Sequence, residues 1–233
     1  MTAVAPRTSE APAAPPPLRV RRLGVVPYAE SLAAQEAALT ACIGGTGPEL
    51  ILLLEHPPVY TLGRGADAAD LRGADERLGV PVFRVGRGGG VTFHGPGQLV
   101  AYPIVRLRAN GRDVHGYVRT LEATLIDTCA HFGVVAHAPA GQTGIFVGER
   151  KLASIGIGVR RGVAYHGIAL NVSTDLTYFG QVVPCRSVGL EVVNLAVLLD
   201  RTPTPAEVGD VFAERLSRRL GFDGVDTEGR AWP

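Results

Sequence analysis

Lysine is almost absent from this sequence. Of its 23 basic residues, only Lys151 is a lysine, and all the others are arginines. Arginine supplies surface charge as lysine does, but it keeps its proton near neutral pH and is not a compact amine. A position that stays lysine in this background is therefore a candidate titratable amine, although a strong arginine bias also leaves a single lysine by chance.

Cysteine is scarce as well. The three residues Cys42, Cys129 and Cys185 lie far apart, with no C-x-x-C pair. This spacing argues against both a disulfide framework and a zinc site, and no histidine or acidic spacing indicates another metal. Because the chain shows no export signal, we expect a cytoplasmic protein with reduced thiols.

Long apolar runs and a strong excess of one charge are missing too. The longest apolar run, Leu50 to Leu54, is too short to span a bilayer. The net charge of +1 argues against a nucleic-acid partner. Small basic clusters at 19–22, 150–151 and 160–161 are either sites for an acidic partner or ordinary solvated surface, and each cluster alone favours the second.

Three segments have helical periodicity. Tyr28 to Cys42 places one stripe on Leu32, Glu36, Leu39 and Ile43, and Asp113 to Phe132 carries a longer apolar stripe that includes Cys129. The third, Thr204 to Leu220, begins with an N-cap threonine, a proline at the first helical position and Glu207 three residues on, which is a capping box.

Strand-like segments separate these helices. They are Leu18 to Leu23, Leu50 to Leu54, Val82 to Val85, Leu99 to Val105, Thr143 to Val147, Leu152 to Val159 and Val163 to Val172. Turns at 148–150 and 160–162 join the last three in a meander. The sequence therefore predicts an α+β fold, with a mixed, largely antiparallel sheet and packed helices.

Composition divides the chain into three parts. Residues 1–17 are rich in alanine and proline, and we expect a disordered extension there. Residues 18–221 are expected to form a single domain that carries the site, and residues 222–233 a loose polar tail. We expect a monomer.

Cys185 differs from the other two cysteines. Cys129 and Cys42 lie among the apolar residues of predicted helices and are expected to be small buried hydrophobes. Cys185 belongs to no periodic pattern and precedes Arg186, and a positive charge beside a thiol favours the thiolate. A reactive thiol and an inert loop cysteine both remain open from this local sequence.

The densest local signal is a glycine-rich stretch, residues 86–98, that contains three consecutive glycines followed by Thr92, His94 and Gln98. Without Cβ atoms, its backbone can closely contact an anion or an acyl chain. It lacks Gly-Lys-Ser/Thr and leads into a strand, so it is neither a P-loop nor a dinucleotide fingerprint. His94 is a candidate base, hydrogen-bond donor or loop-locking residue, His166 is a candidate site residue, and His56 is expected to be structural.

Four blocks of this chain resemble the lipoyl(octanoyl) transferase family of lipoate biosynthesis. They are LEHPPVY at 54–60, RGGGVTFHGPGQLVAY at 87–102, GIFVGERKLASIG at 144–156 with HGIALN at 166–171, and DLTYFGQVVPC at 175–185. The resemblance implies a fold like the biotin and lipoate protein ligases. It also implies transfer of octanoyl from acyl carrier protein to a lysine of the lipoyl domains of 2-oxoacid dehydrogenase complexes and the glycine cleavage H protein, without a cofactor.

The resemblance also assigns site residues. It implies that Cys185 forms an acyl thioester and that Lys151 is its catalytic partner, an ammonium that stabilises the thiolate and cycles its proton. The implied substrate-binding residues are Arg87, Gly88, Gly89, Gly90, Val91, Thr92, Phe93, His94, Ser154, Ile155, Gly156, Gly167, Ile168 and Ala169. One departure is Arg186, where many family members have glycine.

Three other functions remain as alternatives. An ATP-dependent lipoate or biotin protein ligase needs ATP and no cysteine. A cysteine hydrolase of acyl thioesters pairs Cys185 with His94 or His166. A non-enzymatic binder of acylated carrier protein needs no titratable amine, so Lys151 makes it the least favoured of the three.

Overall fold

The computed structural model describes residues 15–73, 76–77, 79–107, 113–182 and 190–229. Within these ranges the strands are β1 (Leu18–Val25), β2 (Leu50–Glu55), β3 (Val59–Leu62), β4 (Val82–Arg84), β5 (Val91–His94), β6 (Gln98–Arg106), β7 (Ile145–Val147), β8 (Arg150–Arg160), β9 (Val163–Asn171) and β10 (Val225–Gly229). The α-helices are α1 (Tyr28–Gly44), α2 (Val114–His131), α3 (Leu195–Leu198) and α4 (Pro205–Leu220), and short 3-10 helices cover Ala68–Leu71 and Leu176–Gln181.

The strands form two sheets. The larger sheet has the order β10-β1-β2-β6-β9-β8-β7, and the smaller has the order β4-β3-β5. In the larger sheet β1 is parallel to both of its neighbours, and the remaining pairs are antiparallel. The predicted α+β fold with a mixed, largely antiparallel sheet is confirmed, and so is the β7-β8-β9 meander.

Helices cover both faces of the larger sheet, which explains the continuous apolar run in β2. Ile51 and Leu53 pack into the cluster that contains the apolar side chains of α2 and α4. Leu52 and Leu54 point to the opposite face, where they pack with Leu39 of α1. Because successive side chains of a strand point to opposite faces, a strand with helices on both sides must be apolar throughout.

α1 presents a different face to the sheet from the one that its sequence predicts. Its buried residues are Tyr28, Ser31, Gln35, Leu39 and Cys42. Glu36 of the predicted stripe instead pairs with Arg160 at the surface. Polar residues occupy part of the buried face, where the Ser31 hydroxyl donates to the Tyr28 carbonyl and Gln35 Oε1 accepts from the His166 N–H.

The other two predicted helices are confirmed. α2 buries Cys129 on its apolar stripe, as expected. At the start of α4 the Thr204 hydroxyl accepts from the Glu207 N–H, and the Glu207 carboxylate accepts from the Thr204 N–H. No helix in the described ranges is long and apolar enough to cross a bilayer.

The C-terminal part of the chain corrects one expectation. The tail at 222–233 was expected to be loose, but Val225–Gly229 forms β10, a five-residue strand parallel to β1. Glu228 pairs with Arg19 and Arg21, while Arg22 pairs with Asp210 of α4. These pairs use the first basic cluster within the chain. Residues 230–233 and the first 14 residues of the predicted extension lie outside the described residues.

Removing the α4 N-cap should destabilise the fold by a modest amount. We expect Thr204→Ala to lower the free energy of unfolding by about 1 kcal/mol, because one N–H at the start of α4 loses its side-chain acceptor. Urea denaturation measures the change. Thr202→Ala is the matched control, since Thr202 is exposed and makes no capping bond. An equal loss in both variants would show that the capping box does not stabilise this helix.

Candidate functional site

A cavity of about 520 Å3 lies between the larger sheet and the glycine loop, defined here as residues 86–90. The glycine loop and β5 contribute six of the predicted site residues to its wall: Arg87, Gly88, Gly89, Gly90, Thr92 and His94. β8 and β9 contribute the rest of the wall that the sequence predicts: Lys151, Ser154, Ile155, Gly156, Gly167, Ile168 and Ala169. Segments far apart in the chain therefore meet at one cavity.

Two predicted site residues do not line this cavity. Val91 and Phe93 point to the other face of β5, where they are buried in the cluster that contains Tyr60 and Leu62. The Phe93 ring also stacks on the Tyr178 ring, with the centroids 4.4 Å apart. Strand geometry explains the separation, because alternate residues of β5 face opposite sides.

Glycine is required where the loop crosses β8. The Gly88 N–H donates to the Ile157 carbonyl at 2.9 Å, which holds the two backbones together. A Cβ atom at Gly156 would lie 2.9 Å from Arg87 Cδ and 3.1 Å from the Gly88 carbonyl oxygen. These contacts leave no room for a side chain, so the close contact between loop and strand depends on glycine.

The Arg87 side chain folds back into its own loop. Its guanidinium donates to the carbonyl oxygens of Gly88, Gly90 and Thr61 and to the Thr61 hydroxyl, at 2.7 to 3.1 Å. Arg87 is 7% exposed. A buried guanidinium needs several acceptors, and here backbone carbonyls supply them. Arg87 therefore fixes the shape of the glycine loop around the cavity.

His94 is held as a neutral ring by bonds to both nitrogens. Its Nδ1 donates to Gln98 Oε1 at 2.8 Å, since the Gln98 amide nitrogen is used as a donor elsewhere. Its Nε2 accepts from the Thr61 hydroxyl at 3.3 Å. Burial, and next the nearby His56 and Arg87, lower the pKa of His94 well below its usual value. This arrangement fits the loop-locking role among the three that the sequence left open.

Two more histidines near the cavity are also neutral at pH 7. His56 donates from Nδ1 to the Val26 carbonyl, and its Nε2 accepts from the Tyr102 hydroxyl. Burial lowers the pKa of His56 to about 4. His166 lines the cavity, as the sequence suggested, and burial likewise lowers its pKa to about 4. It has a φ of 57° within β9, a conformation uncommon for a non-glycine residue.

Lys151 is buried at the cavity wall. Its Nζ lies 5.6 Å from the centre of the Phe146 ring. Gly144, at a φ of 114°, makes room for it, because a Cβ atom there would meet the Ala153 carbonyl oxygen and would lie 3.0 Å from Lys151 Cε. The lysine is thus enclosed near the cavity, and not exposed like the arginines of the surface.

The first described residues after Cys185 run beside Lys151. We define Leu190–Asn194 as the return segment, and its first residue lines the cavity. The Lys151 N–H donates to the Glu191 carbonyl, and the Val193 N–H donates to the Lys151 carbonyl, both at 2.9 Å. Cys185 and Arg186 themselves lie outside the described residues. Leu190, five positions after the cysteine, therefore lies at the cavity wall.

Sequence reasoning missed part of the wall. Tyr28 from the start of α1 and Tyr102 from β6 line the cavity, as do Val114 and Val118 of α2. Burial raises the pKa of Tyr28 to about 12, so its hydroxyl stays protonated. The valines belong to a helix whose period indicates only packing, and the tyrosines have no local motif. Only the burial of the two tyrosines distinguishes them.

The chain matches a family model described as the lipoyl protein ligase A/B catalytic domain, over residues 27–217. Among its relatives are an octanoyltransferase of Geobacter metallireducens, 46% identical over 88% of this chain and 96% of that protein, and one of Citrifermentans bemidjiense, 48% identical over 86% and 96%.

Solved structures with the same fold include a lipoate-protein ligase A bound with ATP, at a TM-score of 0.75 and 20% identity, which covers 92% of this chain and 90% of that one. A biotin protein ligase of Aquifex aeolicus in complex with biotin and ATP has a TM-score of 0.53 at 12% identity and covers 87% and 70%. At these identities the two structures establish the fold alone, and they confirm the fold that the resemblance implied.

The buried histidines should make the fold sensitive to acid. The unfolded chain protonates His56 near pH 6.5, whereas the folded protein does so only near 4. The stability that neutral His56 contributes is therefore complete above pH 6.5 and is lost as the pH falls towards 4. From this residue alone we expect the free energy of unfolding to fall by about 2 kcal/mol between pH 7 and pH 5.

Urea denaturation at both pH values tests this expectation with His56→Gln. The variant should lose less stability on acidification than the wild type. His115→Gln is the control, because His115 is exposed on α2. An unchanged pH dependence in His56→Gln would contradict the assignment of a buried neutral His56.

Proposed function

The chain belongs to the lipoyl protein ligase A/B catalytic domain family, and on this basis we propose that it carries octanoyl from acyl carrier protein, through a thioester on Cys185, to a lysine of a lipoyl domain. Its activity is octanoyl transfer in lipoate biosynthesis. It shares this activity with relatives that are 46% and 48% identical to it over most of the chain. The proposal concerns the donor, the intermediate and the roles of Cys185 and Lys151.

The observation that carries this proposal is the position of Lys151. The chain's only lysine is buried at the cavity wall, and its backbone pairs with the return segment that begins five residues after Cys185. Residues 185 to 190 span at most about 18 Å when fully extended. This tether supports a cysteine within reach of the cavity and of the Lys151 amine.

The first half-reaction transfers the acyl group to the enzyme. The Lys151 amine accepts the proton of the Cys185 thiol, and the resulting ammonium stabilises the thiolate. The thiolate attacks the carbonyl carbon of the octanoyl thioester. A new C–S bond forms to Cys185, the C–S bond to the phosphopantetheine sulfur breaks, and the departing thiolate takes the proton back from Lys151. Acyl-enzyme and free carrier thiol result.

The second half-reaction transfers the acyl group to the acceptor. The incoming lysine of the lipoyl domain attacks the Cys185 thioester as a neutral amine, and the Lys151 amine takes the proton that this nitrogen must lose. An amide C–N bond forms, the C–S bond to Cys185 breaks, and the proton held by Lys151 returns to the thiolate. The donor arrives activated as a thioester, so these steps need no cofactor.

The apolar part of the cavity wall fits an acyl chain. Its members are Val114, Val118, Ile155, Ile157, Ile168, Ala169 and Leu190. Each methylene that leaves water for such a surface contributes about 0.8 kcal/mol. Backbone N–H groups of the glycine-rich segments are the proposed donors to the oxyanion of each tetrahedral intermediate. The Gly88 N–H is not among them, because the Ile157 carbonyl already accepts it.

The histidines argue against the hydrolase alternative. A cysteine–histidine dyad needs an imidazole that takes up a proton near neutral pH. Burial lowers the pKa of His166 to about 4, and His94 has both ring nitrogens bonded to Thr61 and Gln98. Neither ring is suited to deprotonate Cys185, whereas Lys151 lines the same cavity.

The ligase and binder alternatives differ from the proposal in what they consume. A ligase activates a free acid with ATP, and a binder forms no product. Octanoyl transfer to a lipoyl domain that proceeds from octanoyl-acyl carrier protein without ATP supports the transferase. The proposed acceptors are the lipoyl domains of 2-oxoacid dehydrogenase complexes and the glycine cleavage H protein. The proposed location is the cytoplasm.

The thioester should be visible as a covalent adduct. After octanoyl-acyl carrier protein is added without acceptor, we expect intact-mass spectrometry to show one octanoyl group on the wild type and none on Cys185→Ala. Cys129→Ala is the matched control and should keep the adduct, because burial raises the pKa of that thiol to about 12. If the adduct persists in Cys185→Ala, or is lost in Cys129→Ala, Cys185 is not the nucleophile.

Exchanging the lysine for arginine should separate charge from proton transfer. We expect Lys151→Arg to fold and to lose octanoyl transfer by about 10²- to 10⁴-fold, because arginine keeps the charge but cannot release the proton. Steady-state transfer to a lipoyl domain measures this. Arg150→Lys, at the neighbouring position, should keep wild-type rates. Rates near wild type in Lys151→Arg would rule out the proposed proton transfer.

A further inference from the structure

The return segment is held by a second group besides Lys151. The Val193 N–H donates to the Lys151 carbonyl at 2.9 Å, and the Val193 carbonyl accepts from Asn171 Nδ2 at 3.2 Å. Val193 therefore lies between the backbone of Lys151 and the side chain of Asn171. Asn171 ends β9 and is 4% exposed.

Asn171 is also the last member of a chain of side-chain hydrogen bonds that begins at the glycine loop. Arg87 donates to the Thr61 hydroxyl, and this hydroxyl donates to His94 Nε2. His94 Nδ1 donates to Gln98 Oε1, and Gln98 Nε2 donates to Asn171 Oδ1 at 2.9 Å. The chain crosses from the smaller sheet to the larger one and ends at Val193.

Every bond in this chain has a fixed direction. The Phe93 carbonyl can only accept, so the Gln98 amide turns its Nε2 to that carbonyl and to Asn171, and its Oε1 to His94. His94 Nδ1 therefore carries the proton, and its Nε2 accepts from the Thr61 hydroxyl, which itself accepts from Arg87. At the other end Asn171 Oδ1 accepts from Gln98, which leaves Asn171 Nδ2 to donate to the Val193 carbonyl. An amide at position 171 satisfies both of its neighbours, one as acceptor and one as donor. Neither a carboxylate nor an apolar side chain can do the same.

We propose that Asn171 is a positioning residue for octanoyl transfer, which sets the return segment against Lys151 and thereby joins the shape of the glycine loop to the geometry of the reacting groups. The inference rests on the proposed function. Asn171 acts through Val193 and is not proposed to touch the substrate. A displacement of about 1 Å at reacting groups can cost about 100-fold in rate, so a bond that holds this segment affects turnover more than affinity.

Two substitutions of similar size distinguish positioning from general stability. In Asn171→Leu the bond to the Val193 carbonyl is lost at every pH. In Asn171→Asp a protonated carboxyl group can donate to the Val193 carbonyl, as the Asn171 amide does. The ionised carboxylate has no donor, and its negative charge repels the carbonyl oxygen. The charged or titratable groups on the neighbouring segments include Arg87 and His94 along the chain, Lys151 beyond Val193, Glu191 in the return segment, and Glu55, whose carboxylate accepts from the Gly97 N–H.

The experiment measures the single-turnover rate of octanoyl-adduct formation from pH 6 to pH 8.5, at several concentrations of octanoyl-acyl carrier protein. At pH 8 we expect both variants to react about 100-fold more slowly than the wild type, with a half-saturating donor concentration within about twofold of it. As the pH falls, the rate of Asn171→Asp relative to Asn171→Leu should rise, because the protonated fraction of a carboxyl group grows by about tenfold for each pH unit that the pH falls while it stays above the pKa of that group. Thr204→Ala, which weakens the fold at a residue that does not line the cavity, should keep the wild-type rate.

The outcomes separate this inference from the proposed function. No adduct in the wild type defeats the proposed function itself. A wild-type adduct with a constant Asp-to-Leu rate ratio across the pH range defeats the positioning role alone. The positioning role also fails if Thr204→Ala slows the reaction as much as the Asn171 variants do. It fails as well if the Asn171 variants change only the half-saturating donor concentration and keep the wild-type rate. A rising ratio with unchanged half-saturation supports the role of Asn171.

Discussion

The buried guanidinium of Arg87 is the constraint on which the site depends. It cannot accept a hydrogen bond or lose its charge, so the glycine loop must surround it with oxygen atoms. The carbonyls of Gly88 and Gly90 do so together with that of Thr61 in β3, and the Gly88 N–H bonds the loop to Ile157 of β8. The same group donates to the Thr61 hydroxyl, which donates in turn to the neutral His94 ring. One fixed charge therefore holds the loop that forms part of the cavity wall, and it is the first donor of the polar chain behind that wall.

A second feature follows from this electrostatic setting. With His56 and His166 neutral until the pH falls to about 4, and His94 held between two partners, the described wall offers no imidazole suited to exchange protons at neutral pH. Lys151 lines the same cavity. The composition of the chain and the environment of the cavity thus point separately to one residue. The composition points to Lys151 because every other basic position, apart from histidine, is arginine. The cavity points to it because the histidines there are buried and neutral and do not exchange protons at neutral pH.

The sequence predicted what depends on local periodicity and motif. The capping box of α4, the meander and the apolar core strand β2 are all local patterns, and the structure confirms them. The sequence also predicted that the glycine loop lies at the site, because a backbone without Cβ atoms can closely contact a ligand. What the pattern could not give was the side that each β5 residue faces, so Val91 and Phe93 were grouped with their cavity-lining neighbours. The buried face of α1 was hidden because Ser31 and Gln35 are polar but bonded inside. Tyr28 and Tyr102 reach the wall through tertiary contacts that no local motif records.

The strand β10 has a consequence for how the protein behaves among its own copies. Residues Val225–Gly229 occupy the outermost place in the larger sheet and cover the backbone of β1. Without them β1 would expose unpaired N–H and C=O groups along a strand that packs into the main core, which is the kind of edge that pairs with other chains and aggregates. β10 is itself short and carries Asp226 and Glu228, two features that discourage intermolecular strand addition. This polar C-terminal segment therefore replaces an apolar edge of the larger sheet with a short acidic one, which disfavours strand addition by other copies of the chain.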